Sequence, residues 1–254
     1  FAGVCHAVVI EWVTELDFAG VAENDDQEWI DWLRKEGYTV NLPPNGSYWQ
    51  TLDAAKIDRL EEADLVIGSR NTDSQNYDDG TEPTEWNSVS TPLIQMNPYL
   101  VRNNRWLWLN NTTATNNTVE TTLEATQPSH PIFTNIPLDA GNQAVVIDDT
   151  LGTNITSFTN LPTASNNGIL LAQTVNLATT YAWIMEWDPG VEFYTGGGQT
   201  AGGRRMMFTG GTQEAGDPEK GEFNLTGVGE DLFRNAINYM LGGVNRRALH
   251  FDGS

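Results

Sequence analysis

Cysteine, lysine and histidine are scarce in this 254-residue sequence, with one, three and three copies respectively. The lone Cys5 excludes an internal disulfide framework and a zinc site built from several thiolates of this chain. Its neighbour is His6, but adjacent residues on a strand face opposite ways, so Cys5 reads as a buried small hydrophobe. His6, His130 and His250 form no His-x-x-x-His pair, which leaves a zinc hydrolase without its ligand pattern. Basic residues are few altogether: 13 lysines and arginines face 34 acids, a formal charge of −21. Nucleic acid is not an expected partner, because a polyanion needs a basic footprint from which to release counterions. Long apolar runs are missing too. No segment approaches the roughly 20 residues that span a bilayer, and no basic-then-apolar leader opens the chain. Phe1 is not a usual start residue, so a removed leader is expected.

Asparagine, threonine, glycine and tryptophan are plentiful instead. With so little lysine, this is the composition of many secreted surface proteins, and an extracellular or cell-surface location is the expectation. Glycosylation sequons stand at Asn45, Asn110, Asn111, Asn116, Asn154 and Asn224. The polar tract 110–122 is the best place among them for glycans. Most of the nine tryptophans are expected in the core. One left exposed would mark a glycan platform or a contact with another subunit.

The apolar, β-branched run 7–12 reads as a strand and 25–37 as a helix, with Trp29, Ile30 and Leu33 at helical spacing. Asp25 and Asp26 suit that helix's positive dipole end, and Gly37 its stop. A strand at 38–42, a helix at 52–63, a strand at 64–69, a short helix at 85–90 and a strand at 92–96 follow. The alternation predicts a parallel sheet with helices on its faces. Further strands are expected at 105–109, 144–147, 168–173, 182–187 and 204–209, with 110–122 as an exposed loop. An amphipathic helix at 230–241 is closed by Gly242-Gly243. The fold class is thus α/β, a three-layer sandwich with a mostly parallel central sheet and additional late β strands.

Several stretches carry a family resemblance by their order and spacing. They are DDQEWIDWLRKEGYTV from Asp25, ADLVIGSRNTDSQNY from Ala63, PLIQMNPYL from Pro92, SHPIFTNIP from Ser129, and the closing GRRMMFTGG and NLTGVGEDLFRNAINYMLG. Together they resemble the class I glutamine-amidotransferase-like superfamily, and within it the trehalose-utilisation-like (ThuA-like) branch. The resemblance implies a flavodoxin-like domain over 1–245. Catalytic members of that superfamily expose a cysteine in a Gly-x-Cys-x-Gly elbow after a strand. Here the matching run is Gln95-Met96-Asn97-Pro98-Tyr99, and an amide is not a nucleophile. The family's late His-Pro-Glu is matched by Thr209-Gly210-Gly211, so base and orienter are missing as well and glutamine hydrolysis is not expected. Residues 246–254 include Ala-Leu-His-Phe-Asp-Gly-Ser, similar to the opening strand of laminin-G or concanavalin-like lectin domains. They are expected to be a tail or the start of such a domain.

Open α/β sheets bind ligands beyond the carboxyl ends of their strands. That edge is expected to gather Glu11, Trp12, Arg70, Asn71, Asp73, Asn97 and Tyr99, a mixture of rings, amides, carboxylates and one arginine that suits a sugar. The plainer alternative is that Arg70 pairs with Asp73 or another nearby carboxylate and orders its loop. Asp73, Asp78, Asp79 and Glu82 offer oxygen ligands of the kind calcium takes, without EF-hand spacing, and Asp148, Asp149, Thr150 and Asn154 form a second set. Each set is weighed against a solvated acidic loop, and no other cofactor is implied. His130 is expected to brace a turn. The leading functional reading is a non-catalytic extracellular module with a structural, adhesive or carbohydrate-binding role, its partners glycans or other copies of itself in an oligomer or filament. The alternative is a carbohydrate-active hydrolase using Asp73 or Glu11, which needs two carboxyl groups roughly 5 to 10 Å apart. An amidotransferase-derived intracellular enzyme is a third reading, opposed by the lost elbow.

Overall fold

A computed structural model of the chain describes residues 7–19, 24–117, 119–150, 156–161, 166–213 and 220–242. Cys5, His6, His250, Asn154 and the 246–254 segment lie outside them. Five strands form the parallel half of the sheet: β1 (Val9–Val13), β2 (Thr39–Asn41), β3 (Leu65–Gly68), β4 (Leu93–Gln95) and, from the end of the chain, β11 (Arg205–Phe208). Their order is β2-β1-β3-β4-β11, with every neighbouring pair parallel. This is the flavodoxin-like order 2-1-3-4-5, with β11 taking the fifth place. The central strands read as continuous apolar runs because helices cover both of their faces.

On one face, α1 (Gln27–Lys35) buries Trp29, Ile30, Trp32 and Leu33 beside Leu232, Phe233, Ala236 and Ile237 of α4 (Gly227–Met240). Helix α4 starts earlier than its apolar stripe because the Thr226 hydroxyl accepts from the Gly229 N–H and caps it. The other face packs under α2 (Ala54–Glu61) and α3 (Glu82–Ser88) through Leu60 and Trp86.

The second half of the sheet is antiparallel. After β11 come β10 (Tyr181–Trp187), β9 (Ile169–Thr174), β6 (Thr122–Ala125) and β7 (Gln143–Val145). A side arm of β5 (Ala114–Asn117) and β8 (Thr156–Asn160) joins β10. The structure is therefore a mixed α/β sheet of eleven strands among the described residues, less uniformly parallel than the sequence predicts.

Two local readings do not hold. Residues 105–109 are not a strand, because Leu107 turns the chain with φ of 59° so that Trp106 and Trp108 both enter the core. The polar tract 110–122, expected as a loop, contains β5; its threonines and asparagines pair with β8 rather than packing an apolar face. All nine tryptophans are between 0% and 7% exposed, which assigns them to the core. No helix among the described residues is long and apolar enough to cross a membrane.

Candidate functional site

The crevice of a flavodoxin-like sheet opens where the chain order reverses, here between the carboxyl ends of β1 and β3. In this protein the crevice is filled by its own side chains. Asp26, just before α1, is fully buried there. Its Oδ2 accepts from Trp12 Nε1 at 2.8 Å and its Oδ1 from Asn71 Nδ2 at 3.0 Å. The Asn71 carbonyl ties back to the β1 end, accepting from the Glu15 N–H at 2.8 Å and the Thr14 hydroxyl at 3.3 Å. Gly221, with φ of 91°, passes so close that a side chain there would run into the Asn71 amide.

Burial is the largest influence on Asp26 and raises its pKa, against the hydrogen bonds from Thr14, Trp12, Asn71 and Ser69. The unfolded carboxyl titrates near pH 4, so the native state holds this proton longer than the unfolded chain does. The stability contributed by protonated Asp26 is full below about pH 4 and is lost as pH rises through the folded pKa. Asp26→Asn removes this titration. Melting temperature followed from pH 4 to 7 is expected to fall less steeply with pH in the variant; an unchanged slope would contradict a titrating Asp26.

Asn97 sits at the tip after β4, 1% exposed. Its Nδ2 donates to the Thr72 carbonyl and, at 3.2 Å, to Thr72 Oγ1, while its Oδ1 accepts from the Tyr99 N–H at 2.9 Å. Its own N–H donates to Gln95 Oε1 at 2.9 Å. Gln95, standing where the elbow's first glycine is expected, thus pins the turn instead of freeing it. Two guanidinium groups approach the Tyr99 ring, Arg70 at 5.3 Å and Arg102 at 5.1 Å from its centre.

The β5–β8 arm closes the edge from above. Arg70 Nη2 donates to Ser157 Oγ at 3.2 Å, Ser157 donates to Asn116 Oδ1 at 2.7 Å, and the Tyr99 hydroxyl donates to the same Asn116 oxygen at 2.9 Å. Thr156 donates to the Gly211 carbonyl at 2.9 Å, binding the arm to the segment that replaces the late His-Pro-Glu. Sequence reasoning does not place Asp26, Asn116 or Ser157 at this edge: the pattern reads Asp26 as a helix start and Asn116 as a sequon. The repeated threonines of β8 were the available signal, since β-branched residues favour strands.

The candidate residues divide accordingly. Trp12, Arg70, Asn71 and Asn97 converge at the edge as a buried network, and Tyr99 lies over it. Glu11 does not belong there: it is fully buried within β1 and bonded to Arg59 of α2 at 2.6 Å. Asp73 is exposed and caps a turn through the Gln75 N–H at 3.1 Å. The two carboxylates named for a hydrolase are thus engaged separately, Glu11 by Arg59 and Asp73 by its own turn. Arg70 lies over the Tyr99 ring and donates to Ser157 Oγ.

The calcium candidates are also dispersed. Asp78 pairs with Arg105 at 2.9 Å, and the Asp79 N–H donates to Glu82 at 3.0 Å. Among the described residues no group of three or more Asp, Glu, His or Cys could hold a metal ion. Asp148 instead caps Thr150, and those hydrogen bonds hold its pKa down. Among the sequons, Asn45 and Asn116 are exposed and Asn110 and Asn111 half-buried. Asn224 is 1% exposed and accepts from the Gly211 N–H, so the folded protein does not offer it for modification.

A parallel half in flavodoxin order, an antiparallel extension and a filled strand-tip edge define a mixed α/β domain. Solved structures narrow this to the ThuA-like fold. A cytoplasmic protein from Salmonella typhimurium superposes with a TM-score of 0.53 at 12% identity, over 92% of this chain and 98% of the other. A ThuA-like protein from Parabacteroides merdae gives 0.52 at 12% identity, over 93% and 91%. No family model matches the sequence, and no curated protein matches it. These matches overturn the extracellular expectation. Proteins sharing the fold along nearly their whole length are a cytoplasmic protein and a ThuA-like protein, which points away from the extracellular, adhesive expectation and lends glycan binding no support. They lend no support to a lectin domain beginning at 246–254.

Proposed function

We propose that this chain uses the ThuA-like fold for binding rather than for thiolate acyl transfer, with the carboxyl edge of the sheet serving as a packed joint. The observation that carries this reading is Asn97. It occupies the place of the resembled enzymes' nucleophile, and both ends of its buried amide are engaged by Thr72 and Tyr99. Acyl transfer needs a nucleophile with an adjacent base. Thr209-Gly210-Gly211 supplies no base at the other side of the edge.

The test is ammonia release from glutamine by the natural protein and by Asn97→Cys. Neither is expected to exceed a heat-inactivated control, because a thiol at 97 would be buried and without a base. Asn97→Cys is also expected to lose about 1–3 kcal/mol of stability by stranding the buried Thr72 carbonyl and Tyr99 N–H. Glutamine hydrolysis by the natural protein would overturn the proposal.

A further inference from the structure

Five of the nine tryptophans form one unbroken row through the core on the face covered by α2 and α3. Ring centres of neighbours lie 5.6 Å apart for Trp187 and Trp108, 5.8 Å for Trp108 and Trp106, 5.0 Å for Trp106 and Trp86, and 6.2 Å for Trp86 and Trp49. Tyr48 closes the row, 4.7 Å from Trp49. These are the spacings of packed aromatic pairs. Both ends of the row approach the surface. Tyr48 is half-buried and so meets solvent. At the other end Gly168 lies so close to the Trp187 indole that a side chain there would run into it, and the adjacent Asn167 and Ile169 are exposed.

Indole and phenol rings give up an electron more readily than aliphatic side chains, and rings in contact exchange electrons fast because tunnelling falls steeply with distance. Protons decide where the resulting hole rests. An oxidised tryptophan stays a strongly oxidising cation radical when no base takes its N–H proton. Trp49 Nε1 and Trp86 Nε1 are buried without an acceptor. Trp187 and Trp106 donate to the Phe193 and Tyr77 carbonyls and Trp108 to the Asn87 amide oxygen, none of them a base at neutral pH. A tyrosine holds the hole only if its proton leaves with the electron. Among the described residues two tyrosines make ring contact with the row. Tyr77, 6.1 Å from Trp86, is fully buried with its hydroxyl unpartnered, and burial raises its pKa. Tyr48, open to water, has somewhere to send its proton.

We propose that this row is a hole-transfer relay that carries oxidising equivalents from the Trp187 end out of the core to Tyr48. A one-electron oxidant, of the peroxyl or carbonate radical class, takes an electron from Trp187 and is reduced. Each tryptophan is then refilled by its neighbour. Tyr48 passes the last electron inward and a proton to water, and becomes a neutral tyrosyl radical. A thiol or ascorbate in solution returns a hydrogen atom to it. Net, Tyr48 loses an electron to the oxidant and a proton to water, and the indoles end unchanged.

Asn167→Cys in a Cys5→Ser background, with a ruthenium polypyridyl on the new thiol, puts an oxidant beside Trp187 in the full chain. Flash excitation with hexaammineruthenium(III) as electron acceptor turns the label into a ruthenium(III) oxidant, and transient absorption follows the radicals. An indole radical that decays as a tyrosyl radical grows is expected. Tyr48→Phe is expected to lose the tyrosyl signal and prolong the indole radical. Trp86→Phe keeps a ring in the row, but one much harder to oxidise, and is expected to lose the tyrosyl signal although Tyr48 remains. Circular dichroism checks that both variants keep the fold. Tyr194, which pairs with Asn166 beside the label, is the competing source of a tyrosyl signal. Absence of a tyrosyl radical in the labelled protein, or a tyrosyl signal unchanged in Tyr48→Phe or in folded Trp86→Phe, would overturn the proposal.

Discussion

Arg205→Met is expected to destabilise the protein by about 3–5 kcal/mol, the scale seen when a buried charged group is removed from partners that depend on it. Arg205 is fully buried, and no carboxylate pairs with it among the described residues. Its partners are carbonyls. Nη2 donates to Val89 at 2.5 Å, Asn87 at 3.2 Å and Trp86 at 3.4 Å, and Nη1 to Thr91 at 3.1 Å. The guanidinium therefore gathers the carbonyl end of α3 and the turn into β4, where the helix dipole favours a cation. Burial pulls its pKa down to about 9, which still leaves it charged at pH 7. Methionine fills much of the stem but leaves these carbonyls without their donor. For a chain of this size the loss corresponds to a drop of roughly 6–20 °C in Tm, measurable by calorimetry. Arg205→Lys is expected to recover only part of it, since one ammonium cannot span the fork. A Tm within about 2 °C of the natural protein for Arg205→Met would contradict this role.

Trp108→Ala is expected to cost a similar amount, about 3–5 kcal/mol, for a different reason. Trp108 stands at the centre of the tryptophan cluster under α3. Phe193 stacks on it at 5.4 Å and 9°, Trp106 lies at 5.8 Å and Trp187 at 5.6 Å. Its indole N–H donates to Asn87 Oδ1 at 2.7 Å, and Asn87 in turn donates to the Trp106 carbonyl at 2.8 Å. Truncation opens a cavity among rigid rings that cannot collapse to fill it, and it also strands Asn87. Trp108→Phe keeps most of the volume and is expected to fall between the natural protein and the alanine variant in urea unfolding. Equal midpoints for the phenylalanine and alanine variants would contradict the cavity account.

Much of the fold is legible in the sequence where apolar period and punctuation agree. β1, α1 and β3 combine β-branched runs, a helical stripe and a terminal glycine, and they form where the pattern puts them. β5 and β8 carry no such pattern, since their contribution is hydrogen bonding across a polar arm rather than burial of an apolar face. The run around Trp106 and Trp108 has the composition of a strand, but Leu107 adopts a positive φ that tertiary packing of the two indoles imposes. The same limit governs the edge. Asn97 declares the loss of a nucleophile in the sequence alone, yet its locked amide depends on Thr72, and the crevice depends on Asp26, which the pattern assigns simply to a helix start. Glu11 was grouped with the edge by its nearness to the end of β1. Strand alternation turns it instead toward α2 and Arg59.

The most direct test of a packed carboxyl edge is thiol labelling of Asn97→Cys in a Cys5→Ser background, under native conditions with a small aromatic disulfide reagent. A thiol at the strand tip of an open crevice reacts at the rate of a free cysteine. The account predicts labelling slowed to the rate of opening of the edge, with full reactivity only after denaturation. Labelling as fast as the denatured protein's, with the fold intact by circular dichroism, would contradict it.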